Sequence, residues 1–139
     1  MRTVLAILSL MLLFGLCQCN RNRSVVNSML GDYELVGYDN SGQLAFTGTI
    51  KVRFVEQNHL KGRCLINRQK NAPEGILDNN ADCEALVDGD KVSFDLTPSL
   101  DDAGLLLDGQ RNNRGISGAW KLDGFVTSQS LGRFEAVKN

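Results

Sequence analysis

The sequence predicts an all-β protein, an antiparallel up-and-down barrel of about eight strands that follows an N-terminal signal segment. Three observations predict this fold class. Apolar residues recur at every second position through most of the chain after residue 31, turn-forming residues separate these runs, and no segment carries a helical period. Sequential strands with short turns favour closure, because closure removes the exposed strand edges. A two-sheet β-sandwich is the alternative.

The chain is short and carries almost no net charge. Its 139 residues allow one domain with one modest core. The 15 basic and 16 acidic residues give a formal net charge of −1, which provides no global attraction to nucleic acid or to an anionic membrane. We therefore expect no nucleic-acid partner.

The N-terminal segment has the pattern of a secretory signal. Arg2 precedes an apolar run at 4–16, which suits the apolar region of a signal peptide and is shorter than the ~20 residues that span a bilayer. The predicted parts of the chain are a signal peptide at 1–19, a flexible leader at 20–30 and a single barrel domain at 31–139.

Cys17 and Cys19 give two alternatives for the mature N-terminus. Cleavage after Cys19 leaves Cys64 and Cys83 as an even pair, whereas cleavage after Cys17 leaves an odd thiol. Bacterial lipoprotein signals resemble this segment in length and in their terminal cysteine, so a lipid on Cys17 or Cys19 is the alternative. We expect an extracytoplasmic protein, secreted or periplasmic, that contacts a membrane only if it is lipidated.

Period-two alternation defines the strands in order. The first contains the aromatic Tyr33, and the last alternates small and aromatic residues from Gly132. The predicted strands cover 32–39, 43–55, 59–67, 81–87, 90–97, 104–109, 114–122 and 131–138.

Turn chemistry predicts three hairpins. A short loop at 56–58 joins the second and third strands, Asp88-Gly89 is a favoured type I′ turn, and Asn112-Asn113 marks the third turn. The predicted cross-strand pairs are Phe54 with Leu60, Val52 with Gly62, Ile50 with Cys64, Ala85 with Val92, Cys83 with Phe94, Ala81 with Leu96, Leu107 with Gly118 and Leu105 with Trp120.

The inward positions include two cysteines and most of the bulky apolar residues. A Cys64–Cys83 disulfide would close a loop of about 20 residues and stabilise the fold by roughly 3 kcal/mol. It would also restrain the long connection at 67–80. The predicted interior lining is Ile50, Val52, Phe54, Phe94, Leu105, Trp120 and Phe134.

The chain resembles the calycins, the group of barrels that contains lipocalins and avidins. The resemblance rests on the opening Gly31-Asp32-Tyr33, on the count of short strands, and on Arg133 in the final strand. It covers residues 31–139. It implies a lipocalin-like barrel and a binding role, without naming a ligand.

Catalytic and metal sites are not predicted. His59 is the one histidine, and its neighbours in a hairpin turn offer no acid that would hold it as a base. Two cysteines alone do not make a zinc site. The acidic stretch at 78–82 lacks the glycine and the glutamate of a calcium loop. We expect no cofactor.

Charge is segregated along the chain although the net charge is small. Residues 51–70 hold six basic side chains against the single acid Glu56. The ordinary interpretation is a charged sheet surface that pairs with Asp82 or Glu84 on the next strand. The alternative is a basic surface patch that could meet an acidic partner or a polyanion. The predicted patch consists of Lys51, Arg53, Lys61 and Arg63.

These features predict a non-enzymatic exported binding protein. Its partner would be either a small apolar molecule in the barrel or a protein at its loops. A cavity above ~300 Å³ favours the first and a packed interior favours the second. The alternatives are a secreted or periplasmic peptidase inhibitor, since small eight-stranded inhibitors with one disulfide resemble this layout, and a structural component of the envelope or surface.

Overall fold

The protein forms one closed antiparallel barrel in which each strand pairs with the next along the chain and β8 pairs with β1. This computed structural model describes residues 25–98, 104–124 and 130–139. The predicted barrel is confirmed, and the sandwich alternative is wrong because the sheet closes on itself. The strands are β1 (Gly31–Asp39), β2 (Leu44–Glu56), β3 (His59–Arg68), β4 (Asn79–Asp88), β5 (Lys91–Asp95), β6 (Gly104–Arg111), β7 (Gly115–Asp123) and β8 (Gly132–Lys138).

The β2–β3 hairpin has the predicted register over most of its length. The pair Phe54–Leu60 is wrong, because the register shifts after Val52. The turn is also tighter than the predicted loop at 56–58, since Gln57-Asn58 alone joins the strands. The predicted pairs that the structure contains are Val52 with Gly62 and Ile50 with Cys64.

The two later hairpins differ from the predicted register by two residues. The β4–β5 turn is Gly89-Asp90 rather than Asp88-Gly89, with Gly89 at a φ of 61°. The β6–β7 turn spans 112–114 rather than Asn112-Asn113 alone. Because side chains alternate with period two, a shift of two residues changes the partners but keeps each side chain on its predicted face. The observed pairs include Ala85 with Phe94, Val87 with Val92, Leu107 with Trp120 and Gly109 with Gly118.

A disulfide joins β3 to β4 inside the barrel. Cys64 and Cys83 form the predicted bridge, with their Cα atoms 5.8 Å apart, and both are buried. Cys64 lies opposite Ala81, so the bridge runs diagonally between the two strands. The connection that it restrains is 69–78, shorter than predicted because both strands extend further. Disulfides persist in oxidising compartments and are typical of extracytoplasmic proteins.

The segment before β1 packs onto the barrel. Residues 25–27 form a helical turn, and Val26 and Met29 are buried in the core. The hydroxyl of Tyr33 donates a hydrogen bond to the carbonyl oxygen of Met29 at 2.9 Å. For residues 25–30 the structure therefore differs from the flexible leader that the sequence predicts.

The expectations about the N-terminus concern residues that the structure does not describe. The signal segment at 1–19, with Cys17 and Cys19, lies outside the described residues. Within the described ranges, no helix has the length and apolar character needed to cross a membrane.

Candidate functional site

Side chains fill the interior of the barrel. The Trp120 ring packs edge-on against Phe46, with 5.5 Å between ring centroids, and its indole N–H donates to the backbone oxygen of Tyr38 at 2.8 Å. A buried tryptophan therefore has both apolar contacts and a hydrogen-bond partner. Six of the predicted lining residues are exposed by 3% or less: Ile50, Val52, Phe94, Leu105, Trp120 and Phe134.

Packing between strands β2 and β5 leaves no room for a ligand. The residues there include Ile50, Leu60, Cys83 and Phe94, and the free volume among them is about 0 Å³. Pockets for small molecules hold roughly 300–1,000 Å³. Among the described residues, this part of the interior therefore gives the expected small apolar molecule no room.

Phe54 is exposed, so the prediction that it lines the interior is wrong. It is 70% exposed. Val52 pairs with Gly62 and Phe54 pairs with the preceding residue of β3, Lys61. Arg53 is therefore an extra residue in β2, which makes a β-bulge. A bulge of this kind shifts the alternation by one position. Val55 instead points toward the core and packs against it. The sequence carried a signal for this shift, since Phe54 and Val55 are adjacent apolar residues in an otherwise alternating strand.

Basic side chains flank Phe54 on the outer face of β2 and β3. Phe54 lies directly opposite Lys61, and Lys51 lies directly opposite Arg63. Arg53 lies between Lys51 and Phe54, at the bulge, and has no partner in the β3 register. We call these residues the basic strip: Lys51, Arg53, Lys61 and Arg63.

Two contacts with acids offset part of the charge of the strip. Arg53 Nη1 lies 2.5 Å from Asp32 Oδ1 on β1, and this guanidinium holds the pKa of the carboxyl below its ordinary value. Lys61 Nζ lies 4.0 Å from Glu56 Oε2. The side chains of Arg53 and Lys61 are still about half exposed, so both cations face solvent.

In the part of the chain that the structure describes, acids of β4 form no ion pair with the basic strip, although the strand register places them beside it. Glu84 lies opposite Lys61 and Asp82 opposite Arg63 in the strand register. Arg63 nevertheless donates its Nε–H to Asn80 Oδ1 at 3.0 Å. Among the described residues, the strip's ion pairs are those with Asp32 and Glu56.

The other residues singled out in the sequence lie apart from this surface or have structural contacts. His59 is the first residue of β3 and is exposed beside the turn. Arg133 is exposed, with its guanidinium carbon 5.3 Å from the centroid of the Tyr38 ring. In the described parts of the chain, no group of three or more His, Cys, Asp or Glu side chains could hold a metal ion.

Comparison with known proteins gives no relative. No family model, no curated protein and no solved structure matches the chain. The closed barrel is consistent with the calycin outline in its strand number and order. The case for a function therefore rests on this chain's own residues.

Proposed function

We propose that this protein is an exported, non-enzymatic binding protein that holds an acidic protein partner against Phe54 and the basic strip. The observation that carries the proposal is the exposure of Phe54, an aromatic side chain that a bulge turns to solvent among four basic residues. Bulges often redirect a side chain at a functional position.

Phe54 has the properties of an anchor residue. Burying a phenylalanine side chain contributes roughly 1.5–3 kcal/mol. The fold of the barrel does not bury this side chain, since Phe54 is the most exposed of the large apolar side chains in the described parts of the chain. A partner that covers it would therefore gain this free energy. Aromatic residues are enriched at protein interfaces, where a few anchors carry most of the binding energy.

The surroundings of Phe54 favour an acidic partner. Lys51 and Arg63 face each other across the strands, an arrangement that costs stability in the isolated barrel. A partner that places carboxylates beside these cations would relieve this repulsion. Complementary charge would also accelerate association and select against basic partners. The packed interior supports this choice, because a protein can bind the outer surface without entering the barrel.

Export belongs to the same proposal. The apolar N-terminal run supports it, and so does the Cys64–Cys83 disulfide, which an oxidising compartment would preserve. We place the partner in that compartment or on its bounding surface.

Site-specific photocrosslinking tests the proposal. A photoreactive phenylalanine analogue would replace Phe54 in the full chain expressed in its own source, with Leu77 as the matched control. Leu77 is also apolar and exposed, by 52%, but lies in the connection between β3 and β4. We expect one acidic protein to crosslink at position 54 and not at position 77, and to be lost when Lys61→Glu and Arg63→Glu are added.

Two results would contradict the proposal. One is equal crosslinking at positions 54 and 77, which would indicate chance encounters. The other is an adduct at position 54 that survives both charge reversals, which would mean that the basic strip does not select the partner.

A further inference from the structure

A concave surface, separate from the basic strip, lies at the end of the barrel where β1 begins. It is a cleft of about 600 Å³, within the range of small-molecule sites, between the segment before β1, the β6–β7 turn and the end of β8. None of its lining residues belongs to the basic strip. Met29, Tyr33 and Ile116 contribute a buried apolar floor, since each is exposed by 3% or less.

Cations from three separate elements meet in this cleft. Arg111 ends β6, Arg114 lies in the β6–β7 turn and Lys138 ends β8. Asp90 is the one acid among the lining residues. The lining therefore has an excess of two positive charges, although the whole chain is slightly negative. A concave site with this excess attracts anions.

Two of the three cations are held in fixed positions. Arg111 donates to Ser28 Oγ at 3.0 Å and forms an ion pair with Asp90 at 3.2 Å. Lys138 Nζ donates to the backbone oxygen of Ser28 at 2.7 Å and lies 5.9 Å from the centroid of the Tyr33 ring. Groups that are ordered before binding lose less conformational entropy when a ligand arrives.

Arg114 is held by its backbone only. Asn112 Oδ1 accepts the backbone N–H groups of Arg114 and Gly115 at 2.9 and 3.0 Å, and the carbonyl oxygen of Arg114 accepts the N–H of Lys138 at 3.1 Å. Across the described ranges, the Arg114 guanidinium has neither an ion pair nor a hydrogen bond. The turn thus carries a cation with all of its donors available, and a guanidinium can bind a carboxylate or phosphate through two parallel hydrogen bonds.

We propose that this cleft binds a small organic anion, with Arg114 as its principal donor and Lys138 and Arg111 as a prearranged positive wall. The ligand class is a carboxylate or phosphate ester that also carries an apolar part, which would rest on Val137, an exposed apolar side chain of the lining. The site is independent of the protein-binding surface at Phe54, so either proposal can fail without the other.

Titration of the full mature protein with citrate and, separately, with inorganic phosphate tests the site. Amide NMR shifts would be recorded at constant low ionic strength, with chloride as the blank. We expect saturable shifts at residues 111–115 and 138 with at least one of the two anions. Arg114→Gln should weaken binding about tenfold, the usual effect of losing a charge-assisted hydrogen bond. Since the Arg114 side chain is exposed and makes no hydrogen bond or ion pair within the described ranges, this variant should unfold at the same denaturant concentration as the parent.

A matched control is Arg63→Gln, which removes a cation from the other surface and should change the affinity less than twofold. The site would be refuted by shifts that match those in chloride, by binding that Arg114→Gln leaves unchanged, or by equal losses in the two variants. The tighter of citrate and phosphate would identify the carboxylate or the phosphate source.

Discussion

The β2–β3 and β4–β5 hairpins have two-residue turns and one phenylalanine near each turn, but the two phenylalanines lie in opposite environments. Phe94 on β5 is 3% exposed, whereas Phe54 on β2 is 70% exposed. The β4–β5 ladder runs without interruption, and the β2–β3 ladder contains the bulge at Arg53. One inserted residue therefore decides whether an aromatic side chain completes the core or stands at the surface.

The largest difference between the hairpins should come from single-residue deletions. Deleting Ser93 from the regular strand β5 would move Phe94 to the outer face, and we expect no cooperatively folded protein. Deleting Phe54 should leave a folded barrel, because Arg53 can take its place opposite Lys61 and Val55 keeps its inward position. Circular dichroism and urea unfolding would measure both, and a Phe54 deletion as damaging as the Ser93 deletion would contradict the bulge.

Truncating the two phenylalanines should separate core from surface. Phe94→Ala should lower the free energy of unfolding by about 3–5 kcal/mol, because it leaves a cavity in a packed interior. Phe54→Ala should change it by less than about 0.5 kcal/mol, as expected for an exposed side chain. Denaturant titration of both variants gives the comparison, and similar losses would mean that Phe54 contributes to the core.

The disulfide should have the next largest effect. Replacing Cys64 and Cys83 together by Ala should cost about 3 kcal/mol, since the bridge closes a loop with a sequence separation of 19 residues. Chemical reduction of the parent protein should lower its free energy of unfolding by a similar amount and should therefore lower its thermal midpoint. An unchanged midpoint after complete reduction, verified by thiol counting, would show that the strand pairing alone restrains the 69–78 connection.

The smallest effect should be the acid dependence of the bulge. The guanidinium of Arg53 lowers the pKa of Asp32 from its ordinary value of 3.8. The contribution of this ion pair to the free energy of unfolding is therefore fully present above the ordinary pKa. It is lost as the pH falls through the lower pKa of Asp32 in the folded state. Asp32→Asn and Arg53→Gln should each flatten the loss of stability below about pH 4 by a small amount. Urea midpoints that fall with acid as steeply in both variants as in the parent would argue against the pair.

The strand pattern predicted the fold because period-two alternation and barrel closure are local and topological rules. The inward positions of Val52, Phe94 and Trp120 followed from alternation alone. The cysteine bridge followed from the even pair of cysteines together with their inward positions. The hairpin registers at Gly89 and Asn112 were displaced by two residues, since turn propensity does not distinguish neighbouring turn positions that keep the same face inward.

The candidate surfaces were less predictable than the core. The sequence showed the charge bias of the basic strip. The outward position of Phe54 depends on a bulge, whose signal in the sequence is the adjacent apolar pair Phe54 and Val55. The cleft at the end of the barrel where β1 begins was not predicted. Arg111, Arg114 and Lys138 are separated along the chain, and the pairing of β7 with both β6 and β8 brings them to one end of the barrel.

The affinity of the crosslinked partner for the parent and for Phe54→Ala tests the central claim most directly. Calorimetry would compare both with Leu77→Ala at low and at moderate salt. We predict that Phe54→Ala weakens binding by at least about 2 kcal/mol, the usual threshold for an anchor residue, and that Leu77→Ala has no effect. Affinity for the parent should also fall as salt rises. A partner that binds Phe54→Ala as tightly as the parent would contradict the account.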